Sequence, residues 1–193
     1  MQRERIRRRV RILAPALAAV LLLTGCTEQG AQQTQPGTAS KPWTEWTDPT
    51  TAAVTFSGKT TDGTTFASKD HLGQVLVVNF WYAGCAPCRA EAPTLNAAAK
   101  AFPSVQFVGV NVADDASTAA AFDRSHGTTY PSILDEQQDA ATQLAFAGSR
   151  PPKAVPSTLV LDRKGRVVAR IVGQADGSVL KSIIKDAVDG TAA

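Results

Sequence analysis

Cysteine, histidine and methionine are scarce in this chain: three, two and one among 193 residues. A structural zinc site needs four ligands, and beside the closely spaced Cys85 and Cys88 only Cys26, His71 and His126 remain to complete one. With no clustered Met, His or further Cys, metal capture lacks its donors, so the reading calls for no metal and no cofactor. A c-type haem attachment needs histidine directly after the second cysteine of a CxxC; position 89 is Arg89. Long apolar runs are missing as well. The run Ile12–Leu23 has twelve residues and is broken by Pro15, too short to cross a bilayer core of about 30 Å as a stable helix. An excess of basic charge is absent from all but the start of the chain. The net +3 rests on six arginines within residues 1–11 against Glu4, and the remainder balances at 14 basic against 16 acidic residues, or −2. That excludes the footprint of a basic nucleic-acid-binding domain.

What is present begins with an arginine-rich segment followed by that short apolar run, the pattern of a signal peptide. It ends in Leu23-Thr24-Gly25-Cys26, which resembles the bacterial lipobox. The resemblance implies removal of residues 1–25 and a diacylglycerol thioether on Cys26, with the new amino terminus usually acylated too. Two or three chains, at about 0.8 kcal/mol per buried CH₂, hold a soluble domain on a membrane stably where one would not. The expected location is therefore the extracytoplasmic face of the cell membrane; an uncleaved anchor and a secreted form are the alternatives. Residues 26–53 are rich in Thr, Gln, Gly, Pro and Ser and read as a flexible tether with a reach of about 25–30 Å. Within it, Trp43 and Trp46 are expected to dock on the domain's side or to sit near the membrane interface.

From Val54 to about position 190 the pattern is globular. Thr55–Lys59 and Thr64–Ala67 around Asp62-Gly63 predict a hairpin. Val75–Trp81 is a near-continuous apolar run, as expected of a strand covered on both faces. A helix is predicted from Ala86 to Ala101, kinked at Pro93; then a strand over Val105–Asn111, and a helix capped by Ser117 and running to His126. A short strand at Ser132–Leu134, a helix over Glu136–Phe146, strands at Thr158–Leu161 and Val167–Val172, and a helix over Gly177–Val188 complete the series. Alternating strands and helices closed by a hairpin and a helix predict an α/β fold with a mixed sheet.

The chemistry concentrates in Trp81-Tyr82-Ala83-Gly84-Cys85-Ala86-Pro87-Cys88-Arg89. A buried strand ends, a short loop follows, and a helix begins at the first cysteine. A helix N-terminus carries about half a positive charge and unpaired N–H groups, which stabilise a thiolate at Cys85 and lower such pKa values to roughly 3.5–7.5. Cys88, one turn deeper, lies within disulfide reach. Cys85 is expected to attack a substrate disulfide, and Cys88 then to displace the substrate. The reverse sequence oxidises a dithiol, so the motif specifies the reaction type and not its sense. A thiol peroxidase of the peroxiredoxin type would carry Pro seven and Thr or Ser three residues before its cysteine; here Val78 and Tyr82 stand there. A purely structural disulfide is the remaining alternative, although so short a loop closes little chain entropy.

The segments Val78–Pro93 and Val155–Val167, the latter reading Val155-Pro156-Ser157-Thr158-Leu159-Val160-Leu161-Asp162-Arg163-Lys164-Gly165-Arg166-Val167, resemble the TlpA/ResA-type branch of the thioredoxin superfamily. The resemblance covers about residues 54–190. It implies a thioredoxin fold: a central mixed sheet flanked by helices, with an N-terminal hairpin and a central α/β insertion. It implies that Pro156 is a cis proline beside the redox pair, that Val155 offers backbone groups to a strand-like substrate, and that Trp81, Val155 and Pro156 form the substrate-binding set. Glu91 matches the family's acid three residues beyond the second cysteine, where it would hold the Cys88 proton or raise its pKa; a surface glutamate favoured by the helix dipole is the plainer alternative. Asn79 departs from thioredoxin, which has a buried aspartate there. The loop Gly148–Val155 is longer than usual, which leaves the rim of the substrate groove undefined. His126 is read as a helix-ending residue, and Asp114-Asp115 as a solvated loop leading to a cap.

Members of that branch are membrane-bound or exported, and many keep cysteine pairs reduced for cytochrome c assembly. The expected partners are therefore cysteine-containing exported proteins, with apocytochrome c the leading substrate, and a membrane-embedded thiol carrier that supplies electrons. A dithiol oxidase and a non-catalytic binding lipoprotein with a structural disulfide are the competing functions.

Overall fold

Leu76–Trp81 is buried at all six positions and forms the central strand, β4, of a six-stranded sheet. The computed structural model describes residues 43–46, 52–148, 152 and 154–191, all within one compact unit, Ala39–Ala193. In chain order the elements are β1 (Trp43–Trp46), β2 (Ser57–Lys59), β3 (Thr65–Ala67), β4, α1 (Ala86–Ala101), β5 (Gln106–Asn111), α2 (Ala116–His126), β6 (Ser132–Leu134), α3 (Ala141–Ala145), β7 (Ser157–Leu161), β8 (Val167–Val172) and α4 (Gly177–Asp189). The main sheet is ordered β1-β8-β7-β4-β5-β6, while β2 and β3 pair as a separate hairpin. β4 runs parallel to β5 and antiparallel to β7, which makes the sheet mixed.

The alternation of side chains along β4 divides the core. Val77 packs with Leu95 and Ala98 of α1 and with Leu180, Ile183 and Ile184 of α4 on one face. Leu76, Val78 and Phe80 point to the other, against Phe56 and Phe66 of the hairpin region and Phe146 after α3. A third cluster, at the end of β4 where it delivers the chain to α1, holds Trp81, Cys85, Cys88, Ala92, Ala119, Phe122 and Leu134.

Several local expectations change in the folded chain. The sheet starts ahead of Val54, because Trp43–Trp46 pairs antiparallel with β8 inside the stretch read as tether. Glu45 of that strand meets Arg170, a fully buried cation on β8. The cap of α2 is Asp115 and not Ser117: its carboxylate accepts from the Thr118 N–H at 2.8 Å and from the Ser117 hydroxyl at 2.7 Å. The helix expected over Glu136–Phe146 is split. A 3₁₀ turn at Glu136–Gln138 gives way to Asp139 and Ala140, both in the left-handed region (φ 52° and 55°), before α3 begins. The buried Asp135 carboxylate imposes the break, accepting from the N–H groups of Thr142 at 2.6 Å and Gln143 at 3.1 Å and so anchoring the start of α3. Pro93 sits inside one continuous α1. Among the described residues no helix is long and apolar enough to cross a membrane.

Candidate active site

Cys85 is the N-cap residue of α1. Its Sγ accepts from the Cys88 N–H at 3.2 Å, the position a serine or threonine oxygen takes at other helix starts. Ala86 and Pro87 occupy the first helical positions, where proline's missing N–H leaves no bond unmade. Cys85 and Cys88 are joined in a disulfide with Cα atoms 5.2 Å apart. The two residues are covered almost equally, 3% and 2% exposed. Both belong to the same interior cluster, and what distinguishes them is position along the helix: Cys85 is the N-cap of α1 and Cys88 lies within its first turn.

The loop that presents Cys85 is pinned from β5. The Ala83 N–H donates to Asp114 Oδ2 at 2.6 Å, and the Asn111 side-chain amide donates to the same oxygen at 2.7 Å. The Asp114 backbone N–H in turn donates to Asn111 Oδ1 at 2.8 Å. Asp114, expected in a solvated loop, is thus a brace for the residues leading into Cys85. Trp81 lies beneath the site, 3% exposed, with its ring 4.3 Å from that of Phe122. Gly109 of β5 makes room for it: a Cβ there would stand 2.7 Å from Trp81 Nε1 and 2.6 Å from Ser132 Oγ.

Glu91 is fully buried. Its Oε1 accepts from the Asn79 amide at 2.7 Å and its Oε2 from the Ala175 N–H at 2.8 Å, which rules out the surface alternative. Burial pushes its carboxyl up to about 7, against the opposing effect of those two donors. Asn79 also donates to Thr158 Oγ1 at 3.1 Å, so β4, β7 and α1 share one polar network in an otherwise apolar layer.

The Val155–Pro156 peptide is cis. Phe80 of β4 pairs with Ser157, which sets Pro156 beside the end of β4, and Val155 packs on the cluster that contains both cysteines. The structure therefore brings together Trp81, Cys85, Cys88 and Val155. Cys26 and half of the Gly148–Val155 loop (149–151 and 153) lie outside the described residues. Among the described residues no three His, Cys, Asp or Glu side chains are grouped as a metal site. Sequence reading missed Asp114, because its role depends on a loop 31 residues away.

A thioredoxin-type mixed sheet with a CxxC disulfide at the tip of the helix following its central strand defines a thiol–disulfide oxidoreductase. The chain belongs to the AhpC/TSA family, whose profile matches residues 49–170. It is 32% identical over 121 residues to the thiol:disulfide interchange protein HelX of Rhodobacter capsulatus, covering 62% of this chain and 64% of HelX. It is 29% identical over 130 residues to the thiol-disulfide oxidoreductase ResA of Bacillus subtilis, covering 66% and 69%. The chain thus spans just under two thirds of the one relative and slightly more of the other. The crystal structure of a thiol:disulfide interchange protein of the thioredoxin family from Chlorobium tepidum superposes with a TM-score of 0.65 at 30% identity, over 72% of this chain and 96% of that one.

Proposed function

We propose that this protein, held on the extracytoplasmic face of the membrane by lipid on Cys26, reduces disulfides in exported cysteine-containing proteins, apocytochrome c being the leading client. The placement of Cys85 Sγ at the N-cap of α1 carries the reading. The helix terminus favours the thiolate there. That thiolate attacks one sulfur of the client disulfide and releases the other as a client thiolate. Cys88 then attacks Cys85, the Cys85–Cys88 bond forms, and the second client sulfur leaves. Val155, at the cis proline, presents backbone to the client segment, and Trp81 supports the site from below. Buried Glu91, one turn beyond Cys88, keeps that thiol protonated until resolution by disfavouring a second negative charge nearby.

Reduction is favoured over oxidation by the residues between the cysteines. Ala86 and Pro87 are neutral, so the helix end acts on Cys85 without help from a cation between the two sulfurs. A strong oxidant needs its reduced form stabilised well beyond that. Equilibration against glutathione buffers tests the direction: a potential near the thioredoxin value of about −270 mV supports the reductase, and one near −120 mV would replace it with a dithiol oxidase. A Cys88→Ser variant that captures no mixed-disulfide partner in cells would remove both and leave a binding lipoprotein. Metabolic labelling with a fatty acid, lost in Cys26→Ser, tests the anchor.

A further inference from the structure

A small cavity of about 10 Å³, room for a single water, lies against Cys88. Its polar lining comes from Asn79, Asp123, Thr128, Tyr130 and Ser132. Glu91 is not part of that lining. Both Glu91 oxygens are engaged by close donors, at 2.7 and 2.8 Å. Asp123, on α2, is held more loosely: the Ser132 hydroxyl donates to its Oδ1 at 3.4 Å and the Thr61 hydroxyl to its Oδ2 at 3.3 Å. A carboxylate with such long contacts keeps acceptor capacity for a water.

We propose that Asp123, through a water in this cavity, accepts the proton that Cys88 loses as it resolves the mixed disulfide. The inference rests on the thiol–disulfide exchange reading above. In the step, the Cys88 S–H bond breaks, its proton passes to the water, and the water passes a proton to the Asp123 carboxylate. The Cys88 sulfur uses the freed electron pair to bond Cys85 Sγ. The bond from Cys85 to the client sulfur breaks, and its electron pair departs with the client as thiolate. Over both steps two electrons move from the dithiol to the client disulfide, with no other oxidant or reductant involved. The proton returns to solvent when Asp123 ionises again.

Burial pushes the Asp123 carboxyl up to about 6, with the hydroxyls of Ser132, Thr61 and Thr128 and the charge of His126 acting the other way. Such a group is ionised, and able to accept, at neutral pH, while its basicity stays close to the working range. The groups that face it are Thr61 from the hairpin turn, Thr128 and Tyr130 from the segment before β6, Ser132 on β6, His126 on its own helix, and Cys88 of α1 across the cavity. Glu91 reaches this cluster through the field it shares with Asp123 at Tyr130, whose hydroxyl is pushed above its ordinary range by burial and by both carboxylates.

Stopped-flow reaction of the reduced full chain, carrying Cys26→Ser to remove the third thiol, with a chromogenic aromatic disulfide separates the two steps. The first chromophore leaves in a bimolecular phase at Cys85 and the second in a first-order phase as Cys88 closes the ring. The expected result is a second phase whose rate rises with a midpoint near pH 6. Asp123→Asn should slow that phase roughly 100-fold at pH 7, abolish the midpoint, and leave the first phase unchanged. A second phase in Asp123→Asn with the wild-type rate and pH profile overturns the inference. So does a wild-type second phase flat from pH 5 to 8, a result that needs no variant to fold. If the wild type releases neither chromophore, the exchange reading itself fails, and this step with it.

Discussion

The Asn79 side-chain amide donates to Glu91 Oε1 at 2.7 Å, joining the middle of β4 to the first turns of α1 in the layer beneath the disulfide. It places a carboxyl whose pKa is near 7 where an apolar contact would otherwise be expected. Because the raised value is a native-state property, the pair sets a pH dependence.

The unfolded chain releases the Glu91 proton in the ordinary carboxylate range, whereas the native state holds it to about pH 7. Between those values the native state binds more protons, so this group lowers stability as pH rises and then levels off above about 7. Denaturant titrations from pH 4 to 8 should show that decline together with the one Asp123 contributes up to about pH 6, and Glu91→Gln should remove the part that continues to about pH 7. Asn79→Ala, which removes a donor that favours the ionised form, should move the end of the decline upward.

Gly109→Ala should destabilise the domain by about 1–3 kcal/mol through overpacking. The new methyl meets Trp81 Nε1 and Ser132 Oγ, both closer than 3 Å. Since Trp81 underlies the cysteines, the reaction rate of reduced Cys85 with an alkylating reagent should change in the same variant, while Gly148→Ala, with open space around it, should alter neither.

Glu45→Ala removes the carboxylate that meets the buried Arg170. Loss of one partner of a largely buried pair costs about 2–4 kcal/mol here, somewhat below the fully buried case because Glu45 is 23% exposed. Thermal melts should record the loss. A chain beginning at position 52 should show a drop at least as large, since it lacks all of β1.

Asp114→Ala should loosen the loop before Cys85 by leaving the Ala83 N–H without its acceptor. The expected cost is about 1–3 kcal/mol, accompanied by faster amide hydrogen exchange at Ala83 and slower attack of Cys85 on a disulfide probe. Exchange at Ala83 equal to wild type would show that the brace is dispensable.

Much of this protein is written in short stretches of sequence. The bounds of α1 are those expected from the CxxC and the residues that follow it, because a helix start is a local event set by a capping side chain and proline at the first turn. The hairpin at Asp62-Gly63 was equally legible, since Gly63 adopts the positive φ (83°) that such turns require. Where neighbouring residues compete for one role, local reading went astray. Ser117 and Asp115 both fit a cap, and the stronger acceptor took the position. The helix expected across Glu136–Phe146 broke because a carboxylate just ahead of it claims N–H groups in its middle.

By itself the sequence determined the redox pair, the helix that carries it, the mixed α/β order and the cis-prolyl segment's resemblance to its family, all properties of contiguous residues. Only the tertiary structure decided that Glu91 is buried and not exposed, that Asp114 braces the cysteine loop, that Asp123 shares a cavity with Cys88, and that Trp43–Trp46 extends the sheet. Each of these depends on groups far apart along the chain meeting in a low-dielectric interior, where burial moves a carboxyl's pKa and selects its partners.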